Sequence, residues 1–321
     1  MAPAIGYARD GFPLVAGDVR SLHPLPLSSP THMINARSLL FVPATSERKI
    51  DKAYGGTADG VIIDLEDAVA TAEKPAARKL LAGIVAVPRP RATWVRVNAT
   101  ATPFCYEDLL AVCIAGVAGI ILPKVESAEE VRMVDWILTQ LERERGLPAR
   151  GILILGIIET ARGMRDVNLI AEAAPRLRRL MFGAIDFAAE VSIDLGDDVG
   201  GTNQARFAIA CASRAAGLEP PIDTAYIEIH NLDGLRATTT RARGLGYRGK
   251  ACIHPAQVEV VNAIFTPTEE QITRAKRIVD GFDDAEKKGL GAIMLDGQML
   301  DYPVVELARR VLVQAKAAGV I

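Results

Sequence analysis

Glu159 and Asp186 each close an apolar run, ILILGII in the first case and RLMFGAI in the second. Runs this short and this apolar read as strands buried on both faces, as in a parallel sheet. Carboxylates at the ends of two such strands project from the same C-terminal edge. That pair is an open, oxygen-rich site for a hard divalent cation, and Mg2+ suits it best. The competing reading makes each acid the cap of the helix that follows. Other polar residues fall at equivalent places: Asp64, Glu66 and Asp67 after GVII, Arg96 and Asn98 in TWVRVN, Lys124 and Glu126 after AGIILP, and His254 in KACIHP. For Lys124 and Glu126 a plain ion pair is expected. For His254, packing and turn geometry beside Pro255 explain more than catalysis does.

The elements that would position these residues repeat along the chain. From Arg37 onward a short apolar run, a polar or Gly-rich turn and a helical segment alternate. The runs are SLLFVP, GVIIDLE, TWVRVN, AGIILPK, ILILGIIE, LMFGAID, DTAYIEI and KACIHP, eight in all. Eight strand–helix alternations predict a (β/α)8 TIM barrel, an α/β fold whose C-terminal strand ends form the catalytic face. An open doubly wound sheet is the alternative, because periodicity does not encode closure. No G-x-G-x-x-G turn follows the first run, so a dinucleotide site has little support. The barrel is expected over residues 36–265. Residues 1–35, rich in Pro, Gly and Ser, read as a loosely ordered arm without the continuous apolar segment of a secretory signal. Beyond 265 the pattern gives an amphipathic helix, a short extended piece, a Gly turn and a final helix. This tail, 266–321, carries Asp296 and Asp301 and is expected to pack on a neighbouring subunit or cover a site.

Composition narrows the function. A net charge of −2 over 321 residues argues against nucleic acid or membrane as the main partner. No apolar run approaches the roughly 20 residues of a membrane span. The four cysteines show no C-x-x-C spacing and read as reduced core thiols, which implies a cytoplasmic setting. Trp94 and Trp136 are expected in core or helix-packing roles.

Taken in order, RSLLFVP, GVIIDLEDAV, VRVN, LPKVES, IETARG, FGAID, GYRGKACIHPAQ and DGQMLDYP resemble the motifs of the citrate lyase β-subunit-like (CitE-like) branch of the HpcH/HpaI aldolases. That family includes malyl-CoA and citramalyl-CoA lyases, and the resemblance runs from about Arg37 to the C-terminus. It implies a Mg2+-dependent TIM barrel, homotrimeric or hexameric, that splits or forms a short β-hydroxyacyl-CoA through an enolate. It places Glu159 and Asp186 on the metal ligands, with Glu159 also at the substrate, and Asp67 in the metal's outer shell. Arg96 falls on the substrate-contacting catalytic arginine, and Asp301 on an acid or base that the neighbouring subunit's tail supplies. Arg48, Lys52 and the backbone of Ile253 and His254 fall on CoA contacts. Ala44, in VPATSERK, stands where many relatives have Gly, a departure on the CoA side. Alternatives that share much of this pattern are a citrate lyase β subunit acting on an acyl-carrier protein, a thioesterase, a malate-synthase-like enzyme and a non-catalytic assembly barrel. A Schiff base on Lys124 is not required.

Overall fold

The computed structural model describes residues 36–195 and 200–321, so the arm expected over 1–35 lies outside the described residues. The first half of the fold runs β1 (Ser38–Pro43), α1 (Glu47–Tyr54), β2 (Gly60–Asp64), α2 (Lys74–Val85), β3 (Ala92–Arg96), α3 (Cys105–Val112), β4 (Val117–Leu122) and α4 (Ala128–Glu144). Next come β5 (Leu153–Ile158), α5 (Ala161–Arg165), α6 (Val167–Ala171), β6 (Leu177–Phe182), α7 (Ala184–Val191) and α8 (Gly200–Ala215). The barrel finishes with β7 (Ile222–Asp223), α9 (Leu232–Gly244), β8 (Gly249–Cys252) and α10 (Pro255–Phe265). The tail consists of α11 (Glu269–Glu286), β9 (Ala292–Leu295), β10 (Gln298–Asp301) and α12 (Tyr302–Ala317).

Strands β1 to β8 are parallel, pair in sequence order and close, with β1 meeting β8 at Ser38–Lys250, Leu39–Ala251 and Leu40–Cys252. The sheet is therefore a barrel and not an open, doubly wound one. Alternation along each strand divides the apolar residues. Leu39, Ile62, Trp94, Ile121, Leu155 and Met181 fill the interior, whereas Leu40, Val61, Ile63, Val95, Ile120 and Ile154 pack outward against the helices. Burial of both faces is why the strands read as unbroken apolar runs. Trp94 needs room from β4: a Cβ on Gly119 would stand 2.7 Å from its indole ring.

Two runs end earlier than their composition suggests. In LMFGAID the strand stops at Phe182, and Asp186 lies in the first turn of α7. Of DTAYIEI only Asp223 pairs with a neighbouring strand, together with Ile222 just before the run. A charged clamp replaces the missing ladder at this seam. Asp223, fully buried, accepts from Arg206 Nε of α8 at 2.7 Å and from Lys250 Nζ of β8 at 2.5 Å. Farther along, Gln257 Nε2 donates to the Tyr226 carbonyl at 2.7 Å, so that backbone needs no strand partner.

In the tail, β9 and β10 form an antiparallel hairpin where a single extended piece was expected. Its turn residues Asp296 and Gly297 both have positive φ, 51° and 74°, as a tight two-residue hairpin turn demands. Ile278, Phe282, Leu300 and Val305 give the tail a small core of its own. Trp136 is 65% exposed on α4, contrary to its expected packing role, and Cys211 is exposed while the other three free cysteines are buried. Among the described residues no helix is long and apolar enough to cross a membrane.

The clamp at the β7 seam has a measurable consequence. Asp223→Ala leaves two buried cations without a counter-charge and should cost ~3–5 kcal/mol in urea unfolding. Adding Lys250→Met should recover part of that loss. Additive losses in the double variant would show that the carboxylate does not neutralise Lys250.

Candidate active site

The C-terminal ends of the strands surround a cavity of about 430 Å³. Its polar wall contains Asp64, Asp67, Arg96, Glu159, Asp186 and Thr224, and Phe41, Ile157, Met181 and Ile185 line the apolar part. Sequence reasoning had placed five of these six polar residues on one rim, and the barrel brings them together.

Glu159 follows the last residue of β5 and is 4% exposed. It does not cap a helix: Thr160 occupies the N-cap of α5 and accepts from Gly163 N–H. Asp186 caps nothing either, since α7 begins after Gly183 and has no side-chain cap. It sits instead in the positive first turn of α7, a favourable place for an acid. Gly183 is dictated by closeness. A Cβ there would stand 2.5 Å from Glu159 Cβ and nearer still to its Oε2.

Glu159 Oε1 accepts the Lys124 backbone N–H at 2.8 Å. Burial, together with the charges of Asp186 and Glu66, pushes its carboxyl up to about 8. Glu66 is also raised, first by burial, against the opposing pull of Arg96 and Lys124. Both shifts report first a pocket shielded from water, with neighbouring carboxylates adding to the effect.

Arg96 answers part of that charge. Its Nε and Nη2 grip Asp64 at 2.7 and 2.5 Å, a bidentate pair. Its Nη1 lies 3.0 Å from Glu66 Oε2, a charge contact without hydrogen-bond alignment, and the guanidinium sits 5.0 Å from the Phe41 ring centre. Burial works against its charge, but the Asp64 hydrogen bond and the surrounding carboxylates hold its pKa above the ordinary arginine value. Asp64 is itself held by the Glu66 and Ala68 N–H groups, at 2.9 and 3.3 Å.

Lys124 is where the sequence reading needs correction. Glu126, its expected partner, pairs with Arg162 at 3.0 Å. Lys124 Nζ instead reaches Glu66 at 2.8 Å, Asp67 at 3.9 Å and Asp186 at 4.0 Å. Its φ of 49° is rare for a residue with a side chain and turns both backbone N–H and ammonium toward the acids. Burial disfavours its charge, but the Glu66 hydrogen bond and the charges of Glu66, Asp67 and Glu159 outweigh that and raise its pKa. An ammonium held charged is a poor imine-forming nucleophile.

Two residues support this cluster: Lys74, which escaped sequence reasoning, and Asn98, one of the strand-end polar residues. Lys74 of α2 is 6% exposed, and its Nζ donates to the carbonyls of Leu65 and Glu66 at 2.8 and 2.9 Å. Asn98 Nδ2 donates to the same Leu65 carbonyl at 3.0 Å while Asp108 holds Asn98. Together they fix the loop that carries Glu66 and Asp67. The only sequence signal was Lys74 preceding Pro75 at the start of α2.

The remaining expected residues lie apart from the acid cluster. Ile253 lines the cavity and is 39% exposed. His254 caps α10, its Nδ1 accepting Ala256 N–H at 3.2 Å, in keeping with a turn role for its side chain. Arg48 and Lys52 are exposed on one face of α1. Asp301 precedes α12, half-buried, and is not in the cavity wall.

The residues present suit Mg2+. Glu159 and Asp186 are hard oxygen donors on one cavity wall, near enough for the Asp186 charge to add to the burial that raises the Glu159 pKa. Among the described residues no three His, Cys, Asp or Glu side chains cluster closely enough to hold a metal alone, so two carboxylates would leave most positions to substrate and water.

A pH dependence follows for the protein in EDTA. Because Glu159 titrates near 8 when folded, the folded state binds the extra proton between its unfolded value, about 4.3, and 8. Stability should therefore fall as pH rises through that window and level off above it. Glu159→Gln should flatten this slope in urea titrations at pH 5, 6, 7 and 8. An unchanged slope would remove Glu159 as its source.

The chain matches the family profile described as HpcH/HpaI aldolase/citrate lyase over residues 37–255, and one described as a C–C bond lyase of the TIM-barrel fold over 212–320. It is 35% identical to the citrate lyase subunit beta of Haemophilus influenzae, over 88% of this chain and 97% of that one. It is also 35% identical to a (3S)-malyl-CoA thioesterase of Cereibacter sphaeroides, over 88% and 95%. The CitE protein of Mycobacterium tuberculosis, solved with magnesium, acetoacetate and coenzyme A, superposes with a TM-score of 0.72 at 31% identity, covering 88% of this chain and all of that one. A closed barrel, an acid-lined mouth and these matches agree: the chain belongs to the HpcH/HpaI aldolase/citrate lyase family of enzymes.

Proposed function

We propose that this protein is a Mg2+-dependent carbon–carbon lyase for a short β-hydroxyacyl-CoA such as malyl-CoA or citramalyl-CoA, working through a thioester enolate. The observation that carries this reading is the buried Glu159 beside Asp186, in one cavity with an Arg96 held by Asp64. Mg2+ held by Glu159 and Asp186 would supply electrophilic polarisation of the oxygens of a 2-oxo acid.

The chain's own residues account for the rest. When the bond between the α-carbon and the hydroxyl-bearing carbon breaks, its electron pair moves into the thioester. Asp64 takes the Nε and one Nη2 hydrogen of Arg96, which leaves both Nη1 hydrogens without aligned partners among the described residues. Those hydrogens would be available to a developing enolate oxygen while Asp64 holds the guanidinium in place, an effect typically worth about 3 kcal/mol. Lys124 holds Glu66 and stands beside Asp186, where it limits mutual repulsion of the acids. Thioester binding over α1 would use the exposed Arg48 and Lys52, with the backbone at Ile253 and His254 after the adjacent strand β8 beside them.

The hydroxyl loses a proton as its carbon becomes a carbonyl and the enolate carbon gains one, and Asp301 is the group we assign to take the first and return it. It does not line its own chain's cavity. Its helix α12 instead borders a recess at the N-terminal, opposite end of the barrel, beside Arg37, Pro221 and Arg248. Supply from a neighbouring copy fits this placement. So do Met294 and Met299, paired across the hairpin and 68% and 71% exposed, an apolar edge suited to a subunit contact in a trimer or hexamer.

A second reading keeps the enolate chemistry and changes the carrier or the outcome. Equal identity to a citrate lyase subunit beta and to a malyl-CoA thioesterase favours neither product. Purified protein with Mg2+ should convert malyl-CoA or citramalyl-CoA to a 2-oxo acid and an acyl-CoA, seen by mass spectrometry. Free hydroxy acid would mean hydrolysis, and turnover only of citryl-carrier protein would mean the lyase-subunit role. Arg96→Met should lower kcat at least ~100-fold, the scale of losing one oxyanion-type donor. Mixing inactive Asp301→Ala with inactive Arg96→Met and reassembling them should restore part of the activity. No recovery would place Asp301 in its own subunit's chemistry or outside it.

A further inference from the structure

The recess at the N-terminal end of the barrel holds about 470 Å³ and shares no residue with the mouth. Four guanidinium groups line it, Arg37, Arg214, Arg248 and Arg310, against one carboxylate, Glu306. They come from separate parts of the fold: Arg37 precedes β1, Arg214 lies on α8, Arg248 precedes β8 and Arg310 lies on α12. Arg37 is neutralised by Asp59 at 2.8 Å, and Arg310 Nε meets Glu306 at 3.2 Å. Arg214 and Arg248 have no carboxylate partner among the described residues, and Arg248 uses only Nη1, on the carbonyls of Arg243 and Tyr247. Burial and the charges of Arg243 and Arg310 press the Arg248 pKa down. Ser213, 1% exposed, lies in the same wall with a hydroxyl that makes no hydrogen bond. The remaining wall is apolar and includes Leu218, Pro220, Pro221, Phe265 and Val313.

Arg37 and Arg310 already hold carboxylates, but Arg214 and Arg248 add two unanswered like charges to the same recess, which is unfavourable unless something there answers them. Arginine offers paired donors in the spacing of phosphate oxygens, and an apolar wall beside them takes a ring or hydrocarbon body. From this geometry we infer a second binding site for an organic phosphate, at the opposite end of the barrel from the acid cluster. Its phosphates lie on Arg214, Arg248 and Arg310, and its apolar part lies against Pro220, Pro221 and Phe265. Because α8 and the segment before β8 belong to the barrel while Arg310 belongs to the tail, the ligand ties α12 to the barrel floor. The inference does not depend on the reaction proposed at the mouth.

Calorimetric titration of the full chain with ADP and, separately, inorganic pyrophosphate at fixed ionic strength tests it. Both probes should bind saturably, ADP more tightly because it also covers the apolar wall. Arg248→Met, and independently the exposed Arg214→Met, should weaken ADP binding about tenfold or more, the loss of one charge-assisted hydrogen bond. Glu159→Gln should leave it unchanged, and the Arg48→Ala/Lys52→Ala pair should retain a saturable ADP site that Arg248→Met weakens. Tighter pyrophosphate than ADP would remove the apolar contact and reduce the site to a bare anion hole. Binding lost in the Arg48/Lys52 variant and kept in Arg214→Met and Arg248→Met would move the ligand to the mouth. No saturable heat from either probe overturns the site.

Discussion

The structure depends on keeping a carboxylate, Glu159, buried beside two others without letting the mouth of the barrel come apart. Glu66 and Glu159 are each under a tenth exposed, and Asp186 stands close enough to raise the Glu159 pKa. Such a grouping is costly in a low-dielectric setting and persists only where rigid neighbours hold it. The barrel supplies that rigidity, because each acid follows a strand whose two faces are packed. Repulsion that would spread a surface loop is opposed by the whole inner and outer core.

The cations around the acids divide the task. Arg96 is fully engaged on one edge by Asp64, so its position is fixed before anything enters the mouth. Lys124 has a longer reach and looser contacts, with one hydrogen bond to Glu66 and distances of 3.9 and 4.0 Å to Asp67 and Asp186. A compact ammonium on a flexible stem can yield its place to another cation, which a forked guanidinium cannot do as readily. The left-handed backbone at Lys124 is the local strain that this arrangement stores. Lys74 and Asn98 matter for the same reason: they pin the backbone carbonyls of the loop, so that Glu66 cannot relax outward.

Much of this was legible in the sequence because the strands are buried on both faces. Apolar runs ending in a charged residue announced both the barrel and its rim, and Glu159, Asp186, Arg96 and Asp67 fell where the cavity has them. The errors share a cause. Asp186 was read at a strand end because GAI continues the apolar run, yet Gly183 breaks the ladder to clear the Glu159 side chain and α7 begins at once. DTAYIEI has strand composition, but Asp223 is taken by Arg206 and Lys250 and the Tyr226 carbonyl by Gln257. Lys124 was paired with Glu126 by proximity in sequence, whereas a positive φ turns it away toward Glu66, 58 residues earlier. Side-chain partners far apart in the chain decided each case, and periodicity carries no trace of them.

The two ends of the barrel differ in a way that bears on how the molecule works as a whole. The mouth is rich in acids and poor in cation, while the floor is rich in arginine and poor in anion. Each end is thus shaped by a charge that the chain itself does not fully answer. The tail joins these two imbalances, since α12 borders the floor recess through Glu306 and Arg310 and begins directly after Asp301. A helix is stiff along its axis, so whatever fixes its body against α8 also fixes the residue at its start. If Asp301 serves a neighbouring mouth, then occupancy of one subunit's floor and completion of the next subunit's site are linked through a single rigid element. Such linkage is reciprocal: an anion that steadies α12 favours the assembled mouth, and assembly in turn favours the anion.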